Sequence, residues 1–250
     1  MYIIFGNYGN ETIALIQWAS RHKLDNVYVV SVDTGWAAQQ WEQRVSQSEQ
    51  LAKQHGFIVE RLKSKSNFAQ LIEHQQDFPS TKHQWCAGFL KGLVFFDWLD
   101  ILDPAGKAWI LLPKRRAISP ILANLPEFIE ESEHYGERKV WHPLYDCSDE
   151  AMAKLIFCSG VSYLPHRSLE CDPCVNNTRA DFMRLQSNDI KKTVCLEKTL
   201  QKPMFAPLSY GGEPGIEQVI TWVKRQKKSA HVVSLAVADM GCGTPFVCGL

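Results

Sequence analysis

The chain has 250 residues, 45% of them hydrophobic and 22% charged, so it is long enough to bury a sizeable core as one large domain or one domain with a modest appendage. Lysine plus arginine balance aspartate plus glutamate at 27 each, which excludes a bulk field drawing the chain to nucleic acid or an anionic membrane but allows a local basic patch. No stretch approaches the roughly 20 consecutive apolar residues of a membrane helix, and the apolar start Met1 to Phe5 lacks a basic leader, so a cytoplasmic protein is expected.

In chain order, Tyr2–Phe5 reads as a strand and Ile13, Leu15, Ile16, Trp18 and Ala19 as a helix broad enough in its apolar coverage to pack on a sheet. Between them "FGNYGNET" carries two glycines and two asparagines. The plain reading is a tight turn, since Gly and Asn both tolerate the left-handed backbone region. The sharper one is a phosphate cradle, in which loop N–H groups and the positive end of a helix dipole face an anion. Val27–Val32 predicts a second strand, followed by Asp33-Thr34-Gly35. An Asp and a Thr at a strand's carboxyl end can reach a ribose, a phosphate or a bound Mg²⁺, or can cap the next helix. That helix is predicted from near Trp36 to Gly56. Phe57–Leu62 and Ala108–Leu112 add two more strands, and alternation of this kind argues a parallel twisted sheet flanked by helices.

After the fourth strand comes "PKRRAISP", whose Lys114, Arg115 and Arg116 either clamp phosphate or sulfate oxygens or form a solvated loop. The stretch "SPILANLPEFIEESEHYG" reads as one or two short helices broken by Pro126, "KVWHPLYD" as an extended piece, and "SDEAMAKLIFCSG" as a helix capped by Ser148. Residues 188–200 and 214–228 read as helices, the latter with Pro214 at its start. The final "ADMGCGTPFVCGL" reads as a loop.

Eight cysteines stand at 86, 147, 158, 171, 174, 195, 242 and 248. In a cytosolic chain of this size a metal or redox-active thiol site is a better use for them than disulfides. Cys147, Cys158 and Cys195 lie in apolar or amphipathic segments and are expected as small core residues. In "ECDPCVN", Cys171 and Cys174 can share one cation or cluster, with Cys86, Cys242 and Cys248 as candidate partners. The thiols alone leave iron–sulfur and zinc both open.

Together these motifs resemble the phosphoadenosine phosphosulfate (PAPS) reductase family of the adenine nucleotide alpha-hydrolase-like, or PP-loop, superfamily. Its first loop has the pattern S-G-G-x-D-S, and Asn7-Tyr8-Gly9-Asn10-Glu11-Thr12 occupies that place here. "CAGFLK", "KRRAISP", "WHPLYDCSDEAM" and "ECDPCVN" resemble further family segments, so the likeness spans residues 1 to about 185.

The resemblance implies a nucleotide-binding α/β domain over 1–165 and a helical and loop region over 166–250, with its C-x-x-C and Cys-containing tail, packed on it. It implies that residues 7–12, Asp33, Thr34, Gly35, Arg115 and Arg116 hold ATP, PAPS or adenylyl sulfate. A [4Fe–4S] cluster would sit on Cys86, Cys171 and Cys174, with Cys242 or Cys248 as the fourth ligand or one iron left open, and the tail thiol of Cys248 would attack sulfur. The sequence departs from the family at Asn7 and Tyr8, where Ser and Gly are usual, and at Glu11, where Asp is. It also has Ile118 where an acid is frequent, and it lacks the Glu and His of the family's tail.

Three functions follow as expectations. The first is a sulfonucleotide reductase served by a thioredoxin-like thiol donor. The second is an ATP-dependent sulfurtransferase of the nucleic-acid thiolation or DNA phosphorothioation type, for which an operon-encoded partner subunit or a second copy of the chain could supply the nucleic-acid surface. The third is a nucleotide-binding protein without catalysis.

Overall fold

The computed structural model describes residues 1–205 and 214–225. Six strands form one sheet: β1 (Tyr2–Phe5), β2 (Val27–Asp33), β3 (Ile58–Lys63), β4 (Trp109–Leu111), β5 (Phe128–Ser132) and β6 (Arg138–Trp141), in the order β3-β2-β1-β4-β6-β5. All neighbours are parallel except the β5–β6 pair at the edge. β1 is central, with Ile4 opposite Val29 on one side and Leu111 on the other. A strand buried on both faces must be apolar throughout, and "YIIF" is. The edge strand β3 instead carries Glu60, Arg61 and Lys63.

Helices cover both faces. Ile4 and Val29 pack with α1 (Asn10–Arg21), α2 (Trp41–Gln54) and α6 (Asp149–Ser159), while Ile3, Phe5 and Val30, pointing the other way, pack with Phe95 and Leu99 of α5 (Leu93–Leu102). A third apolar cluster lies beyond the sheet. It gathers Trp36 and Cys171 with residues of α3 (Phe68–Gln75), α4 (Trp85–Ala87), α7 (Arg179–Arg184), α8 (Ser187–Leu200) and α9 (Ile216–Arg225). Between α4 and α5 the helix widens into a π-helical turn over Gly88–Gly92.

Three expectations are corrected. The stretch expected as short helices around Pro126 forms a 3-10 turn, Pro120–Leu122, then the antiparallel edge strand β5 and a second 3-10 turn, Glu133–Tyr135. Phe128-Ile129-Glu130-Glu131 suits a helix or a strand by pattern, and pairing of Ile129 with Val140 decides for strand. Helix α2 starts at Trp41 instead of near Trp36 because residues 36–38 are bonded to a segment far downstream: Asp172 N donates to Trp36 O at 3.0 Å and Ala38 N to Leu169 O at 3.0 Å. Of the cysteines expected in the core, Cys158 and Cys195 are exposed and Cys147 is half-buried, since the apolar stripes of α6 and α8 do not include them. No described helix is long and apolar enough to cross a membrane.

Candidate functional site

Strands β1, β2 and β3 progress one way and β4, β6 and β5 the other, so the strand order reverses between β1 and β4. Ligands of open α/β sheets bind outside the carboxyl ends of strands at such a switch. The loop after β1 is closed by its own side chains. Asn7 N donates to Thr12 Oγ1 at 3.3 Å, and Asn7 Oδ1 accepts from Gly9 N at 2.9 Å. Gly6 leaves no room for a side chain, since a Cβ there would lie 2.4 Å from Thr12 Oγ1. Tyr8, where the family has glycine, holds φ at +58° with its ring fully buried. Burial pushes its phenol up to about 12. Helix α1 then starts at Gly9 without a side-chain cap, so its first-turn N–H groups face the loop.

A cavity of about 290 Å³ opens beside this loop, lined by Asn7 and Tyr8, by Asp33, Thr34 and Gly35 beyond β2, by Trp41 of α2 and by Glu170. Gly35, at φ +64°, turns the chain here; one Asp33 carboxylate oxygen accepts from its N–H at 2.9 Å. Glu170 and the segment around it tie the site together. Asn7 Nδ2 donates to Ser168 Oγ at 2.9 Å and to Glu170 Oε1 at 3.1 Å, and Thr34 Oγ1 donates to Glu170 O at 2.7 Å. Lys91, from the π-helical turn, forms a buried ion pair with the Glu170 carboxylate. Asn10 is spent on the same stretch, donating to Leu164 O at 2.8 Å and accepting from Leu164 N at 2.9 Å.

The C-x-x-C follows directly. Cys171 bridges to Trp36 in a parallel register, and Trp36 Nε1 donates to Pro173 O at 3.0 Å. The two thiols sit together: a hydrogen bond from Cys171, aided by the Arg167 guanidinium and opposed by burial, holds Cys174 well below the usual thiol range. Cys86 is buried in the same cluster as Cys171. The thiols have the chemistry of cluster or zinc ligands but lack the grouping, for among the described residues no set of three His, Cys, Asp or Glu side chains gathers to hold a metal. Cys242 and Cys248 lie outside the described residues.

The arginines expected to clamp phosphate have other partners. Arg115, 4% exposed, reaches Asp149 at 2.9 Å and Glu11 at 3.6 Å and donates to Cys147 O at 2.9 Å. Arg116 donates to Leu125 O at 2.9 Å and lies 4.7 Å over the Tyr145 ring. Glu11 is thereby a partner of Arg115 at the start of α1, like-charged with any phosphate. Sequence reasoning singled out neither Lys91 nor Glu170 as site residues, although each stands inside a quoted motif, "CAGFLK" and "ECDPC". Arg44 carried no signal beyond being a basic residue on a helix.

No protein-family model and no curated protein sequence matches the chain. Solved structures similar to it in fold include the following two. One is a phosphoadenylyl-sulfate (PAPS) reductase from Candida auris in a phosphate complex, at TM-score 0.46 and 16% identity, covering 67% of this chain and 79% of that one. The other is the U34-tRNA thiolase of Methanococcus maripaludis with its [4Fe–4S] cluster, at TM-score 0.45 and 11% identity, covering 96% of this chain and 77% of that one.

Proposed function

We propose that the chain is an adenine-nucleotide-binding enzyme of sulfur chemistry, acting on a nucleotide-activated sulfate. The nucleoside occupies the cavity between Tyr8, Trp41 and the Asp33–Gly35 turn, and its anionic group lies over residues 7–12 at the start of α1. Cys248 attacks the sulfur of adenylyl sulfate or PAPS, the nucleotide leaves with the bonding electron pair, and a reduced thioredoxin-like donor releases sulfite while becoming a disulfide. The observation that carries this reading is the pair of bonds from Asn7 to Ser168 and Glu170, which brings the anion loop and the Cys171–Cys174 thiols to one edge of the sheet. In this reading Cys86, Cys171, Cys174 and Cys242 hold an iron–sulfur cluster, or a zinc ion. Iron and labile-sulfide analysis of the anaerobically purified chain and its single Cys→Ser variants checks that part.

The test of activity is sulfite release from adenylyl sulfate or PAPS with a reduced dithiol. Activity lost in Cys248→Ser supports the reading, and no sulfite from the iron-loaded chain ends it. A second reading, an ATP-dependent sulfurtransferase acting on nucleic acid, is favoured by the engagement of Arg115 and Arg116 with protein partners, since these are the side chains best shaped for sulfonate and phosphate oxygens. Pyrophosphate release from ATP that requires tRNA or DNA would select it.

A further inference from the structure

With Arg115 and Arg116 held by Glu11, Asp149 and Leu125 O, neither is left as a side-chain cation for the loop at residues 6–12. Arg44, on α2, is 6% exposed and forms no ion pair among the described residues. Its Nε donates to Tyr8 O at 3.0 Å, its Nη1 donates to Ser162 O, and its Nη2 is buried without a hydrogen-bond partner. Backbone carbonyls are dipoles and do not neutralise a guanidinium, so a full charge is buried directly behind the turn that starts α1. Its burial lowers screening, and a charge there acts on the loop more strongly than it would in water. Burial also pushes the guanidinium down to about 10, which leaves it charged at neutral pH.

The contact is also conformational. Tyr8 keeps a left-handed backbone that side-chain-bearing residues adopt at a cost of about 1–2 kcal/mol. The bond from Arg44 to Tyr8 O holds the peptide that enters Gly9 and the start of α1.

We propose that Arg44 is the positioning cation of the anion loop: from behind Tyr8 its uncompensated charge supplies the potential that retains the phosphate or sulfonate group of the ligand. This deepens the nucleotide reading and rests on it for the identity of the ligand, but not for the anion. The residue is not expected to touch the ligand. An empty loop leaves the charge of Arg44 unmatched, and an anion over residues 7–12 matches it.

The test is calorimetric titration of the full chain with inorganic pyrophosphate, ADP and adenosine, in wild type, Arg44→Lys and Arg44→Gln. Charge without the fork survives in Lys, and hydrogen bonding without charge survives in Gln. The expected result is that Arg44→Gln loses about tenfold in affinity for pyrophosphate and ADP but none for adenosine, while Arg44→Lys stays within about threefold for all three. Retention of pyrophosphate affinity within twofold by folded Arg44→Gln overturns the proposal, as does a tenfold loss in folded Arg44→Lys. Should Arg44→Gln not fold, Arg44→Lys decides by the rise in melting temperature that pyrophosphate produces: a rise like that of wild type supports the proposal and its absence overturns it. Pyrophosphate binding without any adenosine or ADP binding would end the nucleotide reading and leave the role of Arg44 standing.

Discussion

The buried pair Lys91–Glu170 offers a direct measure of how strongly the two halves of the site are joined. Their side chains are 8% and 10% exposed, and the carboxylate also accepts from Asn7. Removing one member of such a pair strips the other of its counter-charge away from water, which costs about 3–5 kcal/mol. Lys91→Met and Glu170→Gln should therefore each destabilise the protein by about 3 kcal/mol, with Gln still able to accept from Asn7. The double variant has no stranded charge and should cost no more than either single change, giving a coupling of about 3 kcal/mol or more. For a chain of this length each single change should lower the melting temperature by about 6–12 °C. Urea unfolding of the four proteins, with thermal scans as a check, reads the cycle. Singles within about 0.5 kcal/mol of wild type, or costs that add, would refute the claim that this pair is desolvated and specific.

Three further outcomes are expected. Burial, together with the nearby charge of Lys114 and against a bond to Pro126 O, pushes His142 from 6.5 to about 4, so it folds neutral. Between these values the unfolded chain binds the extra proton, and stability should fall by up to about 3 kcal/mol as pH drops from roughly 6.5 to 4, a loss that His142→Asn should remove in pH-dependent urea melts. Gly35→Ala forces a side chain into a left-handed turn with its Cβ 2.5 Å from the Asn67 side chain; we expect a loss of about 2 kcal/mol or more by denaturation, together with weakened nucleotide binding. Asn10→Ala deletes both bonds to Leu164 and leaves that half-buried backbone without them, so unfolding should cost about 1–2 kcal/mol less than in wild type, as read by chemical denaturation.

Much of the architecture was legible from local pattern. Apolar runs bounded by turn residues located β1 to β4 within a residue or two, and Ser148 capped its helix as read, with Oγ accepting from Ala151 N at 3.1 Å. What local pattern could not supply was partnership. Nothing in "PKRRAISP" indicates that Arg115 meets Glu11 and Asp149, because those contacts depend on how β4, α1 and α6 come together. Nor does a helical period identify Arg44 as buried, since a lone cation on an amphipathic helix ordinarily faces water. The edge strand β5 was missed for the same reason: its strand state is set by pairing with β6.

The bonds that close the loop after β1 also set when it can exist. Asn7 finds Ser168 and Glu170 at separations of 161 and 163 residues, and Thr34 and Trp36 reach Glu170 and Pro173 across 136 and 137. Contacts spanning so much chain form only after long loops have been closed, so they belong to the slow, late steps of folding. A nascent chain released before residue 174 could build β1 to β4 with their covering helices, yet it would present the glycine turn half-finished. The turn is thus completed last, when the downstream stretch lands on strand ends laid down at the beginning of synthesis.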